Sequence, residues 1–353
     1  MRSRNALIAL ALLVSCSSSE EGANDLVGPG EVPDEVEVEV LLDGLNNPSG
    51  IDFGPDGRML VCAAGPGREH GNGRVIVWTP EATEEYLTGF PTEFWKVGKD
   101  GQPDRFKLGP LDAAWLPNGN VIVSNGGLGD GADHLLVFTG PGDASQGRPT
   151  NAIPPTSDDT ADKGEGNFTG FSLARDGERL FVCGQGSDAK TWLLVCDHEK
   201  AELSTFASAD DNGIATNSPM DSLSWGGDEV LVLYSGAGGV DDGLVVSWSL
   251  KTRKPTAQWT LPGLTDPMGM DRIPGTNALA IVDNNWRLDA VETGRLAQVT
   301  LPPGGGEAKV ELLPVELRGP TACRFGQDGR LYVTQLGPQI DAGMGSVIAI
   351  RER

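Results

Sequence analysis

The sequence predicts an all-β fold, a six-bladed β-propeller closed by an N-terminal strand that completes the last blade. Three observations carry this prediction: a strand–turn–strand unit recurs six times, the sixth copy ends one strand short, and a spare strand precedes the first copy. Small four-stranded sheets cannot bury their faces singly, whereas a radial arrangement packs each sheet against its neighbours. A solenoid or a β-sandwich is the alternative, but a solenoid needs neither a missing strand at one end nor a spare strand at the other.

The first 34 residues are predicted to lie outside this domain. Residues 1–15 place Arg2 and Arg4 before a short apolar run, as in a secretory signal peptide. Residues 13–16, with the sequence LVSC, resemble the lipobox of bacterial lipoproteins, which implies cleavage before Cys16 and lipidation of Cys16. An ordinary secretory leader is the alternative. Residues 16–34 are polar and acidic, so they are predicted to be a flexible tether.

These features predict a protein of the bacterial cell envelope, held to the membrane by its lipid alone. Ser17 and Ser18 after the lipid site favour the outer membrane, by resemblance to other lipoproteins. We expect the protein to be a monomer.

Residues 35–353 form the predicted propeller domain. Residues 35–40 alternate strictly between acidic residues and valine, which is typical of a strand with one wet face. The repeat copies then follow, each with a strand, a tight turn that contains glycine or asparagine, a second strand, a glycine-rich loop and a third apolar run. The copies begin at Pro48, Pro110, Phe168, Pro219, Pro267 and Pro320.

Composition restricts the partners of this domain. The chain has 353 residues, of which 49 are glycine and 24 proline, and the formal net charge is −23. A surface of that charge repels phosphate backbones, so nucleic-acid binding is disfavoured as a function. The four cysteines after Cys16 sit in apolar strand patterns, which predicts buried free thiols rather than a zinc site; they are Cys62, Cys183, Cys196 and Cys323.

The repeat resembles a known group of propellers. Its clearest motifs are GLNNPSG at residues 44–50, which leads into FGPDG at 53–57, and GRLYVTQL at 329–336. They resemble the NHL repeat and the six-bladed gluconolactonase/regucalcin-like superfamily, and the first and last copies are most similar to ScyD-like propellers. The resemblance spans residues 35–353 and implies the fold. Because this architecture carries hydrolases, binding proteins and scaffolds alike, it implies no single activity.

Two acidic residues occupy the second position after the start of a repeat, Asp112 and Asp221, where other copies have glycine or alanine. That position should lie near the central axis. Together with Asn125 and Asn284, the two aspartates would offer an oxygen-rich site for Ca²⁺ or another divalent cation. In gluconolactonase/regucalcin-like proteins an aspartate near the start of the first strand binds the metal, but these two match it only with an offset of one residue. The early Glu-Gly-Pro motif of that family is missing. In the alternative interpretation both aspartates brace turns by accepting backbone N–H groups.

The polar loops at one end of the propeller form the expected ligand-binding face, because functional residues are often placed on loops over a rigid scaffold. The candidate ligand-binding residues on that face are His70, Tyr234, Asp283, Trp286, Arg287 and Gln335.

Two functional hypotheses follow. In the first, the protein is a membrane-tethered propeller that binds a small ligand or a protein partner through its loop-rich face, without catalysis, because no catalytic constellation is evident in the sequence. In the second, it is a metal-dependent hydrolase of lactones or esters, with a divalent cation at the mouth of the central channel.

Overall fold

Six four-stranded sheets surround one axis in the computed structural model of the protein. The structure describes residues 35–66, 71–94, 107–128, 131–153, 166–185, 191–285, 293–338 and 343–352. This confirms the predicted six-bladed propeller. The predicted leader and tether, which include Cys16, lie outside the described residues and stay predictions. Within these described ranges, no helix is long and apolar enough to cross a membrane.

Each blade is an antiparallel sheet whose first strand lies innermost, next to the axis. The strands of blades 1 to 3 are Pro48–Phe53, Met59–Ala63, Gly73–Trp78 and Thr83–Phe90; Ala113–Trp115, Val121–Asn125, His134–Phe138 and Arg148–Pro149; and Phe171–Leu173, Arg179–Gln185, Thr191–Asp197 and Glu202–Ser208. The strands of blades 4 to 6 are Pro219–Gly226, Glu229–Tyr234, Leu244–Ser249 and Pro255–Thr260; Pro267–Arg272, Ala278–Asp283, Arg295–Thr300 and Lys309–Leu312; and Pro320–Phe325, Leu331–Gln335, Gly345–Glu352 and Val36–Leu45.

Short elements complete the fold. Single parallel strands extend the outer edges of blades 1 and 4, a two-stranded hairpin precedes blade 2, and two 3₁₀ helices follow outer strands. These elements are Gly142–Asp143, Gly306–Glu307, Glu93–Phe94, Lys107–Leu108, Ala144–Gln146 and Asp210–Asn212.

The two ends of the domain close the ring in one sheet. Strand Val36–Leu45 pairs antiparallel with Gly345–Glu352, and Val38 lies opposite Ile350. The closing pairs that the sequence predicted are therefore present. Because strand Val36–Leu45 forms the outer edge of blade 6, the last blade has four strands like the others.

The hydrophobic core is divided into one cluster between each pair of neighbouring blades. Aromatic side chains fill several of these interfaces, such as Trp115 between blades 1 and 2 and Trp248 between blades 3 and 4. No blade can bury both faces without its neighbours, so the packing itself requires the closed ring. The four cysteines are buried free thiols, as predicted, and burial raises the pKa of Cys196 to about 12.

Side chains of the innermost strands also bridge adjacent blades. Ser49 donates to the carbonyl of Pro110, Thr169 to that of Pro219, and Thr321 to that of Pro48. These bonds join blades 1 and 2, 3 and 4, and 6 and 1. Carboxylates of the innermost strands also bridge adjacent blades, and these carboxylates line the propeller axis, where the candidate site lies.

Candidate functional site at the propeller axis

The axis has two different ends. We call the end where the innermost strands begin the loop face, and the end with the turns between first and second strands the hairpin face. At the loop face, an apolar cluster lies over the axis, and its members are Leu108, Leu111, Met220, Met268 and Leu336. The cavity beneath it, here named the axial pocket, measures about 30 Å³. That is room for one or two water molecules.

Asp112 and Asp221 both line the axial pocket, so the structure brings together the two aspartates that the sequence singled out. The cation that meets them is a residue of the chain itself. Arg324 of blade 6 forms a bidentate ion pair with Asp221, with nitrogen–oxygen distances of 2.7 and 2.9 Å. The Arg324 side chain is 14% exposed and that of Asp221 4%, so this is a buried pair. The guanidinium also donates to the carbonyls of Met270 and Cys323.

Each of these two aspartates also bridges to the next blade. Asp112 accepts the backbone N–H of Phe171 at 2.9 Å, and Asp221 accepts that of Met270 at 2.9 Å. The preceding blade leaves room for each carboxylate because it has glycine at this position: a Cβ atom at Gly50 would lie 2.4 Å from Oδ1 of Asp112. A Cβ at Gly170 would lie 3.0 Å from Oδ1 of Asp221. The alternation of glycine and aspartate at this position thus has a steric reason.

A second pair of carboxylates lies two residues further along the innermost strands. Asp52 of blade 1 accepts the N–H of Trp115 at 3.0 Å, and Asp271 of blade 5 accepts the N–H of Phe325 at 2.7 Å. Both side chains are half-buried. Asp52 and Asp271 thus bridge to the next blade as Asp112 and Asp221 do, but at a strand position two residues closer to the hairpin face.

These four aspartates and Arg324 form what we call the axial cluster. Its four carboxylates and single guanidinium give a formal charge of −3 when every group is ionised. Desolvation raises the pKa of Asp112 well above 3.8, although the attraction of Arg324 acts against this rise. The raised pKa favours the neutral form of this acid. Burial opposes the charge of Arg324, but the surrounding aspartates, Asp221 first, raise its pKa, so the guanidinium stays protonated.

Asp52 and Asp271 are perturbed in the same direction. Desolvation raises the pKa of Asp52 to about 6, although the N–H of Trp115 and the charge of Arg324 act against that rise. Desolvation also raises the pKa of Asp271. A carboxyl group whose pKa lies near neutrality can exchange protons under physiological conditions, which is a property of many functional sites.

Below the axial cluster, the channel widens into a cavity of about 550 Å³ that opens at the hairpin face. We name this cavity the funnel. Asp52, Asp271 and Arg324 line it, together with aromatic side chains that include Phe53, Trp115 and Phe325. Its volume lies in the range of small-molecule sites, roughly 300–1,000 Å³. Apolar walls with a few convergent polar groups are also usual in such sites.

Most of the other predicted site residues do not line the axis. Asn125 is buried, with its amide 3.4 Å from the ring of His134, and Asn284 is buried and donates to the carbonyl of Pro320. Neither lines the axial pocket with Asp112 and Asp221. These two asparagines therefore tie strands and loops together instead of completing an oxygen-rich site.

The predicted ligand-binding residues divide into two groups. Tyr234 is 1% exposed in the core between blades 3 and 4. Asp283 is fully buried, pairs with Arg295 and accepts the N–H of Asp266. Gln335 is half-buried and bonds to Ser346. These three serve packing and bracing. The others, His70, Trp286 and Arg287, lie outside the described residues.

The donor set at Asp112 and Asp221 does not suit a divalent cation. Oδ2 of Asp221 accepts both Arg324 and the N–H of Met270, and Oδ1 accepts Arg324 and the N–H of Ser222. Hard cations need several oxygen atoms that are free to coordinate. Among the described residues, no group of three or more histidine, cysteine, aspartate or glutamate side chains could hold a metal ion. We therefore derive no chemistry through a metal at this position.

Sequence reasoning missed Asp52, Asp271 and Arg324. The signal was present, because all three stand at the fourth position after the repeat proline, in the first, fifth and sixth copies. Each lies in a strand with alternating character, where a charged residue is normally assigned to solvent. Comparison of the six copies column by column would have shown that these three ionisable residues share one place in the fold.

Comparison with known proteins identifies the class of fold but no closer relationship. The chain matches no protein-family model, and no curated protein is similar to it in sequence. Among solved structures, it resembles the soluble aldose sugar dehydrogenase of Escherichia coli, with 15% identity, a TM-score of 0.57, and coverage of 90% of this chain and 100% of that chain. It also resembles a gluconolactonase from Xanthomonas campestris, with 13% identity, a TM-score of 0.53, and coverage of 91% of each chain.

A third similar structure is the PQQ domain of pyranose dehydrogenase from Coprinopsis cinerea, with 12% identity, a TM-score of 0.52, and coverage of 91% of this chain and 96% of that one. The protein is thus a six-bladed propeller with structural neighbours among gluconolactonase-like and sugar-dehydrogenase propellers. A quinone of the PQQ type carries several carboxylates. Such an anion suits neither the axial pocket of about 30 Å³ nor the negative funnel, so we derive no step through it.

Proposed function

We propose that the protein hydrolyses a small lactone or ester of the sugar class in the funnel, with Asp52 as the general base. The observation that carries the proposal is the position of Asp52, a half-buried carboxylate on a cavity of about 550 Å³ with a pKa raised to about 6. An acid with this pKa is ionised at neutral pH and still basic enough to accept a proton from water. The structural neighbours include a gluconolactonase and sugar dehydrogenases, which supports a substrate of the sugar class.

The reaction follows from the groups that line the funnel. Asp52 takes a proton from a water molecule, the hydroxide oxygen bonds to the lactone carbonyl carbon, and the ring C–O bond breaks. The proton then passes from Asp52 to the leaving alkoxide, which gives a hydroxy acid. Arg324 lines the same cavity, and its charge partly offsets the repulsion between the surrounding carboxylates and the negative charge on the carbonyl oxygen, while its terminal nitrogens stay bonded to Asp221 and to two backbone carbonyls. The product is an anion, and the net negative charge of the axial cluster favours its release.

The test is hydrolysis of gluconolactone by the purified full-length protein, corrected for spontaneous hydrolysis and followed with a pH indicator. Asp52→Asn should lower kcat by a factor of about 10²–10⁴. Asp176→Asn is the matched control, because it removes the same charge from an exposed hairpin turn where Asp176 pairs with Arg179. An unchanged rate in Asp52→Asn would refute the role of Asp52.

The same assay separates this proposal from the metal-dependent reaction. The rate should be the same with a chelator and with added Ca²⁺ or Zn²⁺, because no step uses a metal. Hydrolysis that appears only after metal addition would refute the proposed mechanism in favour of a metal-dependent one.

A second candidate function is ligand binding without catalysis. The supporting observation is that the carboxylate oxygens of Asp112 and Asp221 already accept backbone N–H groups of the next blade, and those of Asp221 also accept Arg324. Such bonds are expected for residues that hold blades together. In this case gluconolactone and related lactones are not turned over, and the variant Asp52→Asn changes ligand affinity alone.

A further inference from the structure

Three arginines of the hairpin face each pair with an aspartate of their own turn. These pairs are Arg58–Asp56 in blade 1, Arg179–Asp176 in blade 3 and Arg330–Asp328 in blade 6. Two other arginines of this face, Arg175 of blade 3 and Arg272 of blade 5, form no ion pair with any described carboxylate. Because the formal net charge of the chain is −23, acidic side chains are abundant, and these two cations are a local exception.

The two cations come from the blades on either side of blade 4 and meet where its innermost strand ends. Nη1 of Arg272 donates to the carbonyl of Trp225 at 3.2 Å, and the guanidinium carbon lies 4.5 Å from the centre of the Trp225 ring. Nη2 of Arg175 would lie 3.3 Å from a Cβ atom on Gly226, so glycine leaves the room that this guanidinium needs. Both side chains therefore contact the same two residues of blade 4.

The described residues do not offset the repulsion between these two charges. Burial lowers the pKa of Arg272, and the positive charge of Arg175 lowers it further. Arg272 bonds only to the carbonyls of Thr276 and Trp225, and the guanidinium of Arg175 donates no hydrogen bond within the described ranges. Asp228 follows in the same turn of blade 4 but forms no ion pair with either arginine. An anion at this position would gain charge compensation and hydrogen bonds together.

The charge of the pair selects among possible anions. Each guanidinium carries one positive charge, so the two together match a dianion. A phosphate monoester carries a charge of about −1.5 to −2 at neutral pH and has three acceptor oxygens. A carboxylate carries only one negative charge, and a single guanidinium satisfies both of its oxygens. A phosphate monoester therefore fits the two arginines better than a carboxylate does.

We propose that Arg175 and Arg272 form a binding site for a phosphate monoester, with the end of the innermost strand of blade 4 holding the two guanidiniums in place. The site lies beside the funnel, because Asp271, which lines the funnel, directly precedes Arg272. Neither arginine lines the funnel itself, so the site is independent of the proposed reaction. The phosphate belongs either to a small soluble ester or to a lipid headgroup, and the experiment separates these two sources.

The first arm of the experiment is calorimetric titration of the full-length protein at neutral pH and low salt with glycerol 3-phosphate, glycerate and glycerol. Glycerol 3-phosphate should bind at least about tenfold more tightly than glycerate, because it uses both guanidiniums. Glycerol should give no measurable binding. The affinity for glycerol 3-phosphate should fall at high ionic strength, since salt screens the charges.

The central variant is Arg175→Gln, which should lower the affinity for glycerol 3-phosphate by at least about tenfold. This arginine makes no hydrogen bond within the described ranges, so its loss should leave the fold intact, as checked by circular dichroism. Arg179→Gln is the matched control, because it removes the same charge from the same turn but its partner is Asp176. A general effect of net charge would weaken binding equally in both variants, whereas direct contact weakens it in Arg175→Gln alone.

The second arm measures flotation with phosphatidylcholine vesicles, with and without phosphatidate, whose headgroup is a phosphate monoester. It uses the full-length chain with Cys16→Ser, so that the predicted lipid anchor cannot contribute. Binding of either ligand that is lost in Arg175→Gln supports the site. Binding to phosphatidate vesicles alone assigns a lipid headgroup, and binding of glycerol 3-phosphate alone assigns a soluble ester.

Three results overturn the inference: no binding of either phosphate ligand, equal affinities for glycerol 3-phosphate and glycerate, or equal losses in Arg175→Gln and Arg179→Gln. Each of them leaves lactone hydrolysis in the funnel untouched. Conversely, a protein that binds glycerol 3-phosphate through Arg175 but hydrolyses no lactone contradicts the proposed reaction alone.

Discussion

Replacement of Arg324 by methionine tests the electrostatic interpretation of the axis. The variant keeps most of the apolar stem but removes the charge, which leaves Asp221, 4% exposed, without its bidentate partner. Loss of one member of a buried ion pair costs about 3–5 kcal/mol, because the remaining charge is desolvated and uncompensated. The carbonyls of Met270 and Cys323 also lose a donor. We expect a decrease of about that size in the free energy of unfolding.

The assay is urea denaturation at neutral pH, with Arg330→Met as the matched control. Arg330 belongs to the same blade, but its partners Asp328 and Glu39 are 43% and 61% exposed, so its loss should cost less than about 1 kcal/mol. Adding Asp221→Asn to Arg324→Met should restore part of the lost stability, since the uncompensated charge is then gone. The reasoning is refuted if Arg324→Met costs no more than the control, or if the second substitution adds its own full cost.

Three further predictions concern the ring and its carboxylates. Gly50→Ala should destabilise the protein by about 1–3 kcal/mol in urea denaturation, because the new Cβ atom would overlap Asp112. The control Gly140→Ala should be nearly neutral, since open space surrounds Gly140, and equal effects of the two substitutions would contradict the steric argument. A chain that begins at Asn46 should aggregate, since it exposes the edge of Gly345–Glu352, while a chain that begins at Glu35 should remain monomeric in light scattering. Between pH 3.8 and about 6, Asp52 is protonated in the folded state and ionised in the unfolded state, because its pKa is raised on folding. The free energy of unfolding of the wild type should therefore fall, relative to that of Asp52→Asn, as the pH rises through that window. A constant difference between the two denaturation midpoints would refute the raised pKa.

The sequence was sufficient for the fold because the repeat is regular and the chain ends are complementary. The spare strand at Val36 and the short sixth copy could be matched without a structure, and Val38 does pair with Ile350. Each blade is a local unit, so its strands could be assigned from turns and alternation alone.

The site was harder to predict because the side-chain direction of an innermost strand depends on local irregularity. Register shifts follow the first residue of the innermost strand in blades 1, 4, 5 and 6, for example between Pro48 and Ile51. A shift of one residue exchanges the two faces of a strand, so strict alternation misassigns Asp52, Asp271 and Arg324 to solvent. Asp283 illustrates a second difficulty: a polar residue at a strand end gives the same sequence signal whether it faces a ligand or braces a loop, as the bonds of Asp283 to Arg295 and Asp266 do.

Under the proposed function, one set of carboxylates supports the fold through bridges between blades and also takes part in the reaction. Asp52 is fixed by the N–H of Trp115, a group on the neighbouring blade that cannot move without opening a packed interface. A base held in this way needs no reorganisation before it meets a substrate, which is the condition for efficient proton transfer. Asp221 is braced in the same way and lines the axial pocket beneath the apolar cluster of the loop face, but it does not line the funnel, whereas Asp112 lines both cavities. Under the proposed function, access to the funnel, rather than residue type, would therefore decide which carboxylates of the axis act on a ligand.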